Sequence, residues 1–203
     1  MATMRRRSLL ALALLSLSPV FAGCGGGGPP DGDAVDDPDS ARRAYLGLDR
    51  SFDRAIDLGF AGFNAASSAH IPEQQDGGDI SGVMIVGGKT DQGNSSNKNM
   101  DLEVTLAQDY QDLVVEELAI VYNGGPAALA MSFKGLPDAS LTGSFIGTFV
   151  MGGDLAGEVT LDLDFTGTTM EGPGGTIVRV PGSIHVTGTA TSDYGVFTVD
   201  VSL

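Results

Sequence analysis

The sequence predicts a mainly β fold, in which one N-terminal amphipathic helix precedes a single antiparallel β-meander that closes as a barrel or sandwich. Three observations support this class. Apolar residues recur at helical spacing from residue 40, apolar and polar residues alternate after residue 80, and the connections are short and rich in Gly and Pro. Such connections hold no crossover helix, which parallel strands need, so the strands are expected to pair antiparallel.

The composition of the 203 residues limits both the size and the chemistry of the protein. Its formal net charge of −15, from 11 basic and 26 acidic residues, opposes binding to nucleic acid, which needs clustered Lys and Arg. One Cys cannot form a disulfide within the chain, and two His leave few ways to build a metal centre. We therefore expect one domain with no cofactor and no nucleic-acid partner.

The first 24 residues have the pattern of a secretory signal peptide. Three arginines at positions 5–7 form a basic start, and an apolar run follows over residues 9–20. This run is shorter than the about 20 residues that a transmembrane helix needs. The sequence therefore predicts export, with residues 1–23 as the signal peptide.

The segment ends in Phe21-Ala22-Gly23-Cys24, which contains the only Cys of the chain. This ending resembles the lipobox of bacterial lipoproteins, in which an apolar residue and two small ones precede the acylated cysteine; Phe21 stands where Leu is usual. The resemblance covers residues 1–24 alone. It implies a diacylglycerol thioether and an N-acyl group on Cys24, which would hold the protein to the membrane. Gly25 replaces the Asp that retains enteric lipoproteins in the inner membrane, which implies the outer membrane by analogy.

Residues 24–39 are predicted to be a lipidated Cys followed by a flexible acidic tether. Residues 25–39 are almost entirely Gly, Pro and Asp, and such a composition buries too little apolar surface to fold. Their five Asp raise the alternative of a calcium loop, but they lack the Gly and distal Glu of a helix-loop-helix calcium site. A single helix-plus-β domain is expected over residues 40–203.

A helix is predicted to start at Ser40, capped by Asp39 or by Ser40 itself. Its apolar residues recur at three- and four-residue steps and form one stripe, made of Tyr45, Leu48, Phe52, Ala55, Ile56, Gly59, Phe60 and Phe63. We expect the stripe to pack on the β domain. The alternatives are a helix that mediates oligomerisation and a helix that lies on a membrane surface. The net negative charge of the chain disfavours both. Residues 61–78 are predicted to be a loop.

The alternating pattern predicts nine strands, separated by turn residues, near residues 80–88, 100–108, 113–122, 127–134, 140–151, 157–166, 175–180, 183–191 and 195–203. Several glycines fall inside them and predict sharp curvature or bulges, namely Gly82, Gly143, Gly147, Gly167 and Gly188. Phe145 and Phe149 are expected to fill the space beside the second and third of these glycines.

The chain contains no motif typical of a catalytic site. His185 lies two residues from Ser183 on a predicted strand, about 7 Å away, which is too far for a nucleophile to contact its base. A solvent-exposed histidine is therefore expected. A calcium site on the outer strand face is a second alternative, and a solvated acidic face is preferred to it; its ligands would be Asp162 and Asp164 with Asp101 or Glu103.

These patterns favour a lipid-anchored cell-envelope protein that is not an enzyme and has a binding or assembly role. The first alternative is a lipocalin-like carrier of a small apolar ligand, and the second is a hydrolase. A carrier needs an open apolar interior. An interaction protein is expected to have a filled core and an exposed patch, so the two classes differ in a feature that a structure can measure.

Overall fold

The computed structural model describes residues 32–91, 93, 95–114 and 118–203. One long helix, nine strands and a short 3₁₀ turn make up this described part. In chain order they are α1 (Pro38–Ala65), β1 (His70–Gly77), β2 (Ser81–Thr90), β3 (Lys98–Gln111), β4 (Ile120–Lys134), β5 (Ser140–Gly153), β6 (Gly157–Glu171), the 3₁₀ turn (Pro173–Gly175), β7 (Ile177–Arg179), β8 (His185–Ser192) and β9 (Gly195–Ser202).

The strands form one antiparallel sheet in the order β1-β2-β3-β4-β5-β6-β8-β9, with the short β7 paired to the end of β6. The expected mainly β fold, with a helix followed by an antiparallel meander, is thus confirmed. Within the described residues β1 and β9 do not pair, so the sheet is not closed into a barrel. The predicted closure as a barrel or sandwich is not confirmed.

Helix α1 occupies the concave side of this curled sheet. It contacts both edge strands, β1 and β9. In the middle of the sheet its Phe52 ring lies 5.0 Å from the Phe145 ring and 5.6 Å from the Phe165 ring. The expected single apolar stripe is not confirmed, because five consecutive residues of the helix, Ala44–Leu48, are all buried. A sheet that reaches around a helix from both edges covers more than one helical face.

The helix begins two residues earlier than predicted, and Asp37 caps it. The Ser40 amide donates to Asp37 Oδ1 at 2.7 Å, and the Asp37 amide donates to Ser40 Oγ at 3.1 Å, which makes a reciprocal capping box. The hydrogen bond from the Ser40 amide lowers the pKa of Asp37. Pro38 occupies the first helical turn, where proline needs no amide partner.

Part of the segment assigned to the tether packs against the domain. Asp33 forms an isolated parallel bridge with Leu155, and Val35 is only 2% exposed. The Ser192 hydroxyl donates to the Val35 carbonyl at 2.5 Å. Val35 is the one branched apolar residue between residues 25 and 39. Its burial explains why the residues around it pack against the β domain.

The predicted loop over residues 61–78 is wrong at both ends, because α1 continues to Ala65 and β1 starts at His70. β1 has little alternation for a sequence pattern to detect, since Ile71 is its only buried residue. It is an edge strand, where exposed polar residues and Pro72 are tolerated because one side needs no ladder partner.

The strands predicted over 113–122 and 127–134 are instead one strand, β4, and residues 113, 114, 118 and 119 lie outside any strand. The Gly-Gly-Pro segment between them, whose composition is typical of a hairpin turn, is a bulge, where the register shifts against both β3 and β5. Asn123 stabilises the irregularity, since its Oδ1 accepts from the Asp109 amide at 2.9 Å and its Nδ2 donates to Asp109 Oδ1 at 2.7 Å.

Two of the strand glycines do make room for aromatic rings. A Cβ on Gly147 would lie 2.9 Å from the Phe149 ring, as expected, whereas a Cβ on Gly143 would lie 2.4 Å from Phe165. The Phe145 and Phe149 rings stack with centroids 6.0 Å apart. Phe165 therefore fills the space that the sequence assigns to Phe145.

We expect Gly47→Ala to destabilise the domain by about 1–3 kcal/mol, the usual cost of overpacking a core. A Cβ at this position would lie 2.2 Å from Tyr122 Oη, and that hydroxyl donates to the Ala44 carbonyl of the same helix at 2.8 Å. Urea unfolding followed by circular dichroism measures the loss. In a Tyr122→Phe background the same substitution should cost clearly less, and strictly additive effects would contradict this account.

Candidate functional site

A groove runs along α1 where the two sheet edges leave it uncovered. It consists of two adjoining hollows of about 360 and 320 Å³, which share Arg50 and Asp53 of the helix. The first hollow is bounded by α1, β1 and the β1–β2 turn, and the second by α1, the connection after β3 and the residue after β9. We call these two hollows together the edge groove.

The first hollow is polar, and its charges are paired. Arg54 donates from Nη1 to Asp76 at 2.5 Å, and from Nη2 to Asp79 at 3.0 Å and to Asp112 at 3.1 Å. The Asp112 side chain is fully buried and also accepts from the Tyr110 hydroxyl. Burial and the neighbouring Asp112 raise the pKa of Tyr110, which keeps this donor protonated. These contacts tie α1 to β1, to the β1–β2 turn and to the end of β3.

Arg179 of β7 makes a second set of ion pairs with the helix. Its guanidinium donates from Nε to Asp53 at 2.7 Å and from Nη1 to Asp49 at 2.8 Å, and it lies 6.0 Å from the centre of the Phe52 ring. The Tyr45 hydroxyl also donates to Asp49, at 2.5 Å. The Arg179 side chain is only 8% exposed, so its charge is little accessible to a ligand. The main role of this cluster is to hold α1 against β7.

The second hollow is the apolar part of the edge groove. Its apolar lining consists of Leu46, Leu113, Val114 and Leu203. Leu113 is 58% exposed. Arg50 lies at the rim with its side chain 57% exposed, and its Nε is 2.7 Å from Asp79. An apolar depression with a charged rim is suited to receive an apolar side chain from another protein.

The interior between helix and sheet is filled. A small space between α1 and the middle strands measures about 10 Å³, and its walls are Ser51, Phe52, Ala55, Val104, Leu106, Leu129 and Phe145. A space of this size holds a single water molecule at most. Small-molecule sites usually have volumes of about 300–1,000 Å³.

The structure gives His185 and Ser183 different partners. His185 Nε2 lies 2.9 Å from Asp200 Oδ1, and the His185 side chain is half exposed on the outer face of the sheet. The Ser183 hydroxyl donates to the Val180 carbonyl at 2.7 Å. Nothing in this arrangement resembles a nucleophile held by a base.

The residues weighed for calcium do not come together. Asp101 pairs with Ala130, Ala130 with Ser144, and Ser144 with Asp164, so that β4 and β5 separate the acidic residues of β3 from those of β6. Three strand spacings correspond to about 14 Å. Among the described residues there is no cluster of three or more His, Cys, Asp or Glu placed to hold a metal ion.

The groove was not predicted from the sequence, because four distant parts of the chain build it. Leu46 lies off the apolar stripe of the helix, and Leu113 falls in a segment expected to be a strand. Leu46 is an apolar residue outside the stripe, and its position is the sequence signal that could have indicated a second contact surface on the helix. Cys24, the lipidation site predicted from the sequence, lies outside the described residues.

Two neighbouring aspartates of the groove should respond to substitution in opposite directions. Burial and the adjacent Asp53 raise the pKa of Asp57, so the folded chain binds its proton more tightly and loses stability as the pH rises through this pKa. We expect Asp57→Asn to raise the urea midpoint at pH 7 and to have no effect at about pH 3, where both states are protonated.

The matched control is Asp53→Asn, which weakens the ion pair with Arg179 and should lower the midpoint at pH 7. Equal shifts of the urea midpoint in the two variants would contradict the interpretation that the Asp53 carboxylate is paired and the Asp57 carboxylate is repelled.

None of the helices in the described residues is apolar over enough of its length to cross a bilayer. Comparisons of the chain with protein-family models, with curated proteins and with solved structures found no match.

Proposed function

We propose that this protein is attached to the cell envelope through acylated Cys24 and that its β domain binds a protein partner without catalysis. The observation that carries the proposal is the filled interior, where α1 occupies the place in which a carrier would hold its ligand. The membrane attachment is supported by the lipobox-like sequence that ends at Cys24.

The filled core favours an interaction protein over a lipocalin-like carrier. A carrier of an apolar molecule would have to expel α1, and the helix is held by ion pairs from Arg54 and Arg179 as well as by its buried rings. Extraction of the purified protein with organic solvent, followed by mass spectrometry, should therefore recover no stoichiometric apolar ligand. A bound lipid or cofactor at one equivalent would favour the carrier.

The apolar hollow of the edge groove is the surface proposed to meet the partner. A photo-crosslinking amino acid at position 113 should form a discrete adduct with one envelope protein in living cells, because Leu113 is exposed beside the apolar hollow. Ile146 is the matched control, since it is 50% exposed on β5, outside the groove. Adducts of equal intensity at both positions, or at neither, would contradict the groove as an interface.

We expect Cys24→Ser to abolish the lipid anchor, because the acyl chains are attached to this residue. Each buried CH₂ contributes about 0.8 kcal/mol, so two or three chains hold a protein almost permanently whereas none leaves it unanchored. Mass spectrometry of the wild-type protein from the outer-membrane fraction should show a mature N-terminus at acylated Cys24. The variant should appear as uncleaved precursor or as released domain. A mature wild-type chain starting at any other residue would contradict the lipoprotein assignment.

A further inference from the structure

The described chain enters the domain at one corner of the sheet. The Asp33 amide donates to the Asp154 carbonyl at 3.1 Å in the β5–β6 turn. Two residues later the Val35 carbonyl accepts from Ser192 Oγ, which also accepts from the Tyr194 amide at 3.1 Å in the β8–β9 turn. The entry corner, as we call it, consists of the β5–β6 and β8–β9 turns with the strand residues next to them.

The entry corner exposes apolar side chains that no contact within the domain explains. Tyr194 is 68% exposed, Val196 65% and Val150 54%. Val150 lies on β5 opposite Glu158, near the β5–β6 turn. Tyrosine is typical of membrane interfaces, since its ring enters the apolar region while its hydroxyl stays hydrated.

The chain length between the corner and the proposed anchor is short. Seven residues separate Cys24 from Gly32, and a chain of this length reaches at most about 30 Å when fully extended. An acylated Cys24 would therefore hold the entry corner near the lipid. The domain cannot turn its opposite end towards the bilayer on such a connection, because β6 alone is 15 residues long, or about 50 Å.

We propose that the entry corner rests on the surface of a bilayer, with Tyr194, Val196 and Val150 in contact with its interfacial region. This inference depends on the acylation of Cys24 under the proposed function. A longer free tether would instead let the domain lie clear of the lipid.

The charge of the corner selects the kind of lipid. Asp33, Asp154, Glu158 and Asp193 lie at or beside the two turns. An anionic surface would repel the corner. The partner is therefore a zwitterionic bilayer.

The absence of Trp from the chain allows a direct test. The full-length precursor is produced in a bacterial host as two single-tryptophan variants, Tyr194→Trp and Val150→Trp. Each is purified from membranes and reconstituted into phosphatidylcholine vesicles with brominated acyl chains. We expect about a twofold loss of emission and a blue shift for both variants, as for indole at a membrane interface. Met170→Trp is the control, because Met170 is 39% exposed near the other end of β6, and its emission should not change.

The outcomes separate the two proposals. Mass spectrometry of the same samples reports the acylation of Cys24. An unmodified Cys24 overturns both the proposed function and this inference, whereas an acylated Cys24 with no quenching at positions 194 and 150 overturns the inference alone. Quenching that increases when phosphatidylglycerol is added would overturn the zwitterionic assignment. Circular dichroism of each variant confirms that the fold is retained.

Discussion

Phe52→Ala should lower the free energy of unfolding by about 3–5 kcal/mol, the usual cost of removing a buried phenylalanine. The Phe52 ring is 5% exposed and packs edge-on against Tyr45, Phe145 and Phe165. Its loss leaves a cavity where the helix meets the middle of the sheet, and the surrounding rings close it only in part. The midpoint of urea denaturation measures the effect.

The matched control is Tyr194→Ala, which removes an aromatic ring that is 68% exposed. Its effect should stay within about 0.5 kcal/mol, as is usual for surface substitutions. A small effect of Phe52→Ala as well would mean that α1 does not form the core, and an oligomerising role for the helix would then be favoured.

Arg54→Met should cost about 3–5 kcal/mol, because it leaves the carboxylate of Asp112 buried without its cation. Arg50→Met is the control, since the Arg50 side chain is 57% exposed and an exposed pair contributes only about 0–1 kcal/mol. In the double variant Arg54→Met/Asp112→Asn the uncompensated charge is gone, and part of the stability should return. A double variant as unstable as the sum of the single ones would show that the two residues act independently.

The sequence predicts the class of this fold because most of its strands are half buried. In β6 the apolar residues Val159, Leu161, Leu163 and Phe165 alternate with polar ones, and all four are buried as expected. The pattern fails where burial does not follow alternation. β1 has one buried residue, so it shows no alternation of apolar and polar residues. The bulge of β4 contains a Gly-Gly-Pro sequence, which commonly marks a hairpin turn.

The position of the helix could not be predicted from its periodicity. A stripe of apolar residues indicates that one face is covered, but it does not show that two sheet edges reach around the other faces. Leu46 and Gly47 are buried for that reason. The edge groove depends on the same long-range arrangement, because β1, the connection after β3 and the end of β9 meet at the helix only in the folded chain.

The enclosed helix has a consequence for how the domain folds. Contacts of α1 and of the residues just before it join parts of the chain that are far apart in sequence: Ala44 with Tyr122, Asp49 with Arg179, and Val35 with Ser192. Loop closure over such separations precedes most of the stabilising contacts, which places this domain among slow folders of high contact order. Helix α1 is synthesised before all nine strands, so the core between the helix and both sheet edges can form only after β9 has left the ribosome.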